Sequence, residues 1–423
     1  MKYLSLYLHI PFCIKKCNYC DFLSAPPCGK EQAEYVEALC QEIRENSVFY
    51  QDRIIDTIFI GGGTPSLLFV SEIEKIMETV NQCFHLADET EITIEVNPGT
   101  VNKEKLECYK RLGINRLSIG LQSANNKELR TLGRIHTWEQ FLTTWKLVRE
   151  CGFENVNIDI MSALPEQTLE DYQQTLQQIL ALQPEHISAY SLIIEEGTSF
   201  FERFGPDAVE EDKLPNEETD RAMYELTELM LEQQGYYRYE ISNYAKAGLE
   251  CKHNIGYWQR KDYLGLGLGA ASLIDNVRFQ RETDLETYIR TFMPKQNKKA
   301  GQGFILWKER EQIQTNEDNI QSGAIPRIEG DKTVVEKVIL EKQKLSLQEQ
   351  MEEFMFLGLR LMEGISPAKF QQEFGVSLWE IYGKQIAELE QKKLLEYRKE
   401  TERYALTKQG IDVSNQVFVE FLF

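Results

Sequence analysis

Residues 3–20 read Tyr-Leu-Ser-Leu-Tyr-Leu-His-Ile-Pro-Phe-Cys-Ile-Lys-Lys-Cys-Asn-Tyr-Cys. The first eight, rich in Leu, Ile and Tyr, predict a strand that stops at Pro11. Just beyond it Cys13, Cys17 and Cys20 crowd onto one tight loop, at x3 and then x2 spacing. Thiolates so placed can converge on one metal centre. Zinc in a closed structural site calls for a fourth ligand. His9 is near in sequence, but successive strand residues point to opposite faces. An iron–sulfur cubane held by three cysteines leaves one iron open to a small molecule. The loop alone favours the cluster and leaves zinc open.

Working outward, short β-rich stretches bounded by Gly, Pro, Asn or Asp recur at 54–60, 91–96, 115–120, 155–160 and 186–194. Helical periodicity fills the gaps at 71–84, 102–112, 138–150 and 168–182. Six strands alternating with helices predict an α/β fold with a parallel sheet and right-handed crossovers, open or closed into a barrel. In either form the chemistry belongs at the C-terminal ends of the strands. Those ends carry Gly61-Gly62-Gly63-Thr64-Pro65, Glu95, Gln122 and Asp159, with Arg134 further on. Glycines let a ligand approach the backbone closely. Carboxylates suit an ammonium or ribose hydroxyls, and an Arg suits a carboxylate. Any one of these residues alone reads as a surface or structural salt-bridge group. Together they suit a zwitterionic amino acid that carries a ribose.

The 423 residues hold 47 Lys+Arg against 67 Asp+Glu, a net charge of −20 that argues against a nucleic-acid binder. Half of that excess lies between Glu195 and Glu232, where 13 acidic and 3 basic residues read as a solvated loop and helix face. No apolar run is long enough for a transmembrane segment, and Met1–Ile10 lacks the order of a signal peptide. A cytoplasmic location is expected, where thiols stay reduced. Five of the nine cysteines lie in the first forty residues, so a metal site is the better reading than a disulfide framework. A polar stretch at 295–345 reads as a linker or insertion. Beyond it, helices at 348–362, 366–374 and 378–390, strands at 394–397 and 403–406 and a last helix outline a small winged-helix-like unit.

At these positions the chain resembles the radical S-adenosylmethionine (SAM) proteins. The Cys13/Cys17/Cys20 loop with Tyr19 before its last thiol is similar to their cluster loop. Tyr7-Leu-His-Ile-Pro-Phe-Cys13, Gly61-Gly-Gly-Thr-Pro65, Ile94-Glu-Val-Asn-Pro98, Gly120-Leu-Gln-Ser123 and Leu132-Gly-Arg-Ile-His136 narrow the resemblance. They resemble the branch that holds oxygen-independent coproporphyrinogen III oxidase and a related heme chaperone family. The fold so implied is a partial (β/α)6 TIM-like barrel over 1–240, with a heme-associated segment at 241–294, the insertion at 295–345 and the winged-helix-like α+β domain at 346–423. The resemblance implies that Cys13, Cys17 and Cys20 ligate a [4Fe–4S] cluster whose fourth iron is chelated by SAM. It implies SAM contacts from Tyr7, Tyr19, Gly62, Gly63, Thr64, Glu95, Gln122, Arg134 and Asp159. It also implies reductive cleavage of the SAM sulfonium, with a reductant protein as partner.

Two features separate the branch members. The oxidase has a fourth cysteine two residues after the third, where this chain has Phe22, and a longer segment before its cluster loop. Cys251-Lys-His253-Asn254-Ile-Gly-Tyr257-Trp258 is instead similar to the His-Asn-x-x-Tyr-Trp motif of the heme chaperones. A neutral imidazole is a good heme ligand and flanking aromatics suit a porphyrin face, although the same residues also make an ordinary packing cluster. On the resemblance, His253 is the expected heme ligand, and heme and heme-acceptor proteins, respiratory ones among them, are the expected partners. The alternative is the oxidase itself, decarboxylating coproporphyrinogen through radicals; a third reading is a radical SAM enzyme with another substrate. The chain departs from the family pattern at Ala163, at Leu268 and at Ala271, where the family has Gly, Pro and His.

Overall fold

The computed structural model describes residues 2–293 and 338–422. The 295–337 part of the expected insertion lies outside these residues. Six strands follow the chain in order: β1 (Lys2–Ile10), β2 (Arg53–Gly62), β3 (His85–Val96), β4 (Arg116–Gln122), β5 (Val156–Ser162) and β6 (His186–Ser191). All five neighbouring pairs are parallel, and helices at Glu31–Ser47, Val70–Cys83, Lys103–Arg111, Trp138–Glu150 and Leu169–Leu180 lie in the crossovers. The fold is therefore the α/β, parallel-dominated architecture expected from the alternation. Helix starts follow local chemistry. Asn102, Thr137 and Thr168 each accept a backbone N–H of the first turn, satisfying a donor that has no intrahelical partner.

Both edges of the six-stranded core are extended. On one side come β7 (Tyr237–Arg238) and β8 (Asn243–Ala245), with β8 antiparallel to β6. On the other, β9 (Tyr263–Leu266) runs parallel to β1 and is followed by β10 (Ala271–Ile274), β11 (Val277–Arg281) and β12 (Ile339–Lys344). The result is one twelve-stranded sheet in the order β12-β11-β10-β9-β1-β2-β3-β4-β5-β6-β8-β7. Alternation along each strand sorts its side chains. Leu6, Leu8, Ile58, Ile60, Ile92, Ile94, Leu117 and Ile119 pack into the main apolar core. The intervening Tyr7, Phe59, Thr93, Arg116 and their neighbours lie on the opposite face.

A buried ion pair ties one edge to the first helix. Arg281 and Glu42 are both fully buried, with Nε to Oε1 at 3.0 Å. The other Glu42 oxygen accepts the Gly267 N–H at 2.7 Å and the Tyr288 hydroxyl at 2.6 Å. Tyr35 donates to the His9 carbonyl at 2.6 Å and accepts the Leu268 N–H at 3.0 Å. The loop after β9 is thus fixed to the end of β1, with Leu268 buried in it and Ala271 exposed at the start of β10.

The C-terminal unit has its own apolar core, formed by helices Leu347–Gly358, Pro367–Phe374 and Leu378–Gln391 and the hairpin β13 (Leu395–Arg398) and β14 (Arg403–Leu406). It docks through Arg260, which donates to Glu353 and Glu373 at 3.0 Å each, and through Arg360, which lies over the Trp258 ring at 4.9 Å. Glu42→Ala strands Arg281 in the interior, and denaturant titration should show a loss of about 3–5 kcal/mol of stability.

Candidate functional site

The site begins where β1 and β2 end side by side. The Gly63 N–H donates to the Ile10 carbonyl at 2.8 Å and the Thr64 N–H to the Phe12 carbonyl at 2.7 Å. A Cβ on Gly63 would lie 2.7 Å from the Phe12 oxygen and 2.9 Å from that of Ile10, so glycine alone permits this approach. Gly62, at φ +112°, faces the His9 ring in the same way. The glycine run is therefore pressed against the root of the cysteine loop.

The loop is held from its other side as well. Asn18 receives none of its order from the sheet: its N–H donates to Leu132 O and its side chain to Thr131 O, both at 2.9 Å. Phe200 N–H donates to Asn18 O, and Tyr19 packs against the Phe200 ring at 6.4 Å. A polar chain then links two of the thiols. Cys13 Sγ is 3.4 Å from Thr64 Oγ1, and Asn97 Nδ2 donates to that same hydroxyl at 2.8 Å. Arg134 donates to Asn97 Oδ1 at 2.7 Å, to the Gly120 carbonyl, and to Cys17 Sγ at 3.7 Å. Burial first, and then the neighbouring Cys17 and Cys13 thiols, push the Cys20 thiol up to about 11. Among the described residues no trio of His, Cys, Asp or Glu is preassembled around a metal-sized point. The three thiols are half-buried on a loop outside the sheet. His9 does not join them: its Nδ1 is 2.9 Å from Tyr7 Oη and its Nε2 2.9 Å from Leu23 O.

Glu95, Gln122, Arg134 and Asp159 converge behind this rim. Gln122 sits at φ +75° beyond an irregularity in the β4–β5 register. Its Nε2, Asn97 Oδ1 and Arg134 Nη2 all lie within 3.2 Å of the point where a Gly120 Cβ would stand. Asp159 accepts from Asn157 at 2.7 Å and Ser118 at 3.3 Å, and burial raises its carboxyl. Glu95 accepts the Gly62 N–H at 3.0 Å. Burial, with Asp159 as a second cause, pushes its carboxyl up to about 8. A carboxyl with spare acceptor capacity in a poorly solvated place suits an ammonium or a pair of hydroxyls. The donor set thus fits both a thiolate-held cluster and a small zwitterion beside it.

His253 lies apart from the thiols. The helix Lys252–Trp258 carries it, and the Glu91 carboxylate receives the N–H groups of Lys252 and His253 at the start of that helix, each at 3.1 Å. The His253 ring stacks on Phe59 at 5.2 Å, and Phe59 stacks on Tyr7 at 6.4 Å. Its Nδ1 is 2.8 Å from Thr57 Oγ1 and its Nε2 3.0 Å from Tyr257 Oη. Burial, with Arg116 as a second cause, pushes the imidazole down to about 3, so it stays neutral. Sequence reading passed over Asn97 and Asn18. Pro98 was the signal for the first, since it holds the preceding residue extended at the strand end.

Residues 7–179 match the radical SAM superfamily and residues 345–413 the HemN C-terminal domain. The class is therefore that of a radical SAM protein. The heme chaperone HemW of Bacillus subtilis is 34% identical over 99% of this chain and 99% of its own length. The heme chaperone HemW of Lactococcus lactis is 33% identical over 99% of this chain and 97% of its own. The chain belongs to the HemW heme chaperone family. The solved structure of coproporphyrinogen III oxidase (HemN) from Escherichia coli shares the fold, with a TM-score of 0.77 at 22% identity over 99% of this chain and 90% of that one.

Two outcomes follow. Gly63→Ala should displace the cysteine loop and lower the iron and acid-labile sulfide retained after anaerobic reconstitution. Glu95 keeps its proton up to about pH 8 when folded, against an ordinary value of 4.5. Its proton-linked stability is therefore full below about 4.5 and lost as the pH rises towards 8. Thermal melts of ligand-free Glu95→Gln should show a flatter fall across that window than wild type.

Proposed function

We propose that this chain is a heme chaperone of the radical SAM type, which binds a [4Fe–4S] cluster, SAM and heme and passes heme to acceptor proteins. The observation that carries this reading is the full-length likeness to two heme chaperones, which extends through the His253-Asn254-x-x-Tyr257-Trp258 helix. Cys13, Cys17 and Cys20 would hold the cluster, which supplies an electron for SAM chemistry when bound. The N–H groups of Gly62, Gly63 and Thr64 are already donated to Glu95, Ile10 and Phe12, so these residues would give SAM room for close approach, while Glu95 and Asp159 would take its polar groups and Gln122 and Arg134 its carboxylate. Tyr7 and Tyr19 would flank the bound SAM. The oxygen sensitivity of such a cluster suits the reducing cytoplasm and calls for a reductant protein as partner. Among the described residues, no helix is long and apolar enough to cross a membrane.

His253 is the proposed heme ligand. Its neutral imidazole is the form that binds iron. Tyr257 holds Nε2 and Thr57 holds Nδ1, so ligation through Nε2 requires the Tyr257 hydroxyl to swing away. The oxidase reading is opposed by Phe22, which stands exposed where that enzyme has a cysteine.

Anaerobic reconstitution followed by heme titration tests the proposal. Stable heme uptake with a Soret band is expected, and His253→Ala should change that band and weaken uptake by about tenfold or more. An unchanged band would remove His253 as ligand. Conversion of coproporphyrinogen to protoporphyrinogen by the reduced, SAM-loaded protein would replace the chaperone reading with the oxidase one.

A further inference from the structure

One row below Glu95, the strand register aligns Tyr7, Phe59, Thr93 and Arg116 on β1, β2, β3 and β4. Arg116 is only 2% exposed. Among the described residues its side chain makes no hydrogen bond or ion pair, and its Nε is enclosed without a partner. Its register neighbour Thr93 is fully buried, and Thr93 Oγ1 is likewise enclosed without a partner. A buried polar group without a partner is costly, and an unpaired buried cation more so.

The groups around Arg116 favour its charge, but none forms an ion pair with it among the described residues. The charges and polar groups it senses are Cys251, Glu91, Tyr239 and Asp159. Glu91 is committed to the Lys252 and His253 N–H groups, and Asp159 to Asn157 and Ser118. Beside the unpaired cation runs a wall of rings: Tyr7 on Phe59, Phe59 on His253, and Tyr257 edge-on to His253 at 4.9 Å. An unpaired guanidinium and a free hydroxyl next to flat apolar surface are complementary to a flat aromatic molecule that bears an acid. The planar fork of Arg matches a carboxylate with two parallel bonds, which a Lys ammonium does not reproduce.

We propose that Arg116 and Thr93 form an interior anion subsite that takes a carboxylate of a flat aromatic ligand. Resting on the heme reading above, that carboxylate is a heme propionate. Arg116 donates to the carboxylate oxygens and the Thr93 hydroxyl donates to one of them. The subsite is distinct from the iron ligand, so it acts on ligands whatever their metal chemistry.

The test compares heme with its propionate dimethyl ester, which keeps the ring and iron and removes both negative charges. Each is titrated into the full-length, reconstituted protein and followed by the Soret band. Wild type should bind heme about tenfold or more tighter than the diester. Arg116→Gln should erase that preference by weakening heme alone, and Arg116→Lys should restore only part of it. Thr93→Val, which keeps the side-chain shape should Arg116 variants fold poorly, should reduce the preference and leave diester binding unchanged. A wild-type protein that binds both compounds equally, or Arg116→Gln and Thr93→Val proteins that keep the wild-type preference, would overturn the subsite and leave the heme reading intact. A wild-type protein that binds neither overturns the heme reading and the subsite with it.

Discussion

Where β1 and β2 end, the backbone of Gly63 lies against the carbonyls of Ile10 and Phe12 with no room for a side chain. That approach is what brings the cysteine loop next to Thr64, and Thr64 is the start of the polar chain through Asn97 to Arg134. Parallel pairing supplies the alignment, since both strands deliver their C-terminal ends to the same edge. The glycine removes the last obstacle. Everything else at the rim, including the Asn18 anchors and the Arg134 bond to Cys17, holds the loop from the far side of this one approach.

The same strands impose a second order on the interior. Because side chains alternate, one face of β1 to β6 packs against the helices and the other collects polar and aromatic groups. The rows are electrostatically distinct. The upper one holds a carboxyl that keeps its proton to about pH 8, and the row beneath lies beside an imidazole that stays neutral. Both follow from poor solvation, which penalises the charged form of an acid and of a base alike. Arg116 stays charged in that setting: despite its burial its pKa is held above the usual arginine value, with the Glu91 and Asp159 carboxyl groups among the causes.

The segment after β6 works as a support. Glu91 holds the start of the His253 helix, Arg260 and Arg360 dock the C-terminal unit against its end, and β8 and β9 seal the two edges of the six-stranded core. Tyr239 links these parts, with its hydroxyl 2.9 Å from His186 Nε2 and its carbonyl accepting the Met362 N–H at 2.9 Å.

The sequence by itself determined the strand and helix alternation, the thiol loop and the glycine turn, because each rests on local periodicity or on residue types that few conformations accept. It also carried the family, through motifs at the strand ends and through His253-Asn254-x-x-Tyr257-Trp258. Arg116 was half legible: Arg116, Ser118 and Gly120 alternate with Leu117, Ile119 and Leu121, which marks a polar face but not what that face meets. Only the tertiary structure decided that the Arg116 and Thr93 side chains stand side by side without hydrogen-bond partners among the described residues, that both His253 nitrogens are engaged, and that Asn97 joins Thr64 to Arg134. These are facts of register and of contacts between residues far apart in the chain. Local sequence fixes which face a side chain takes, while the partners on that face come from strands brought together by the packed core.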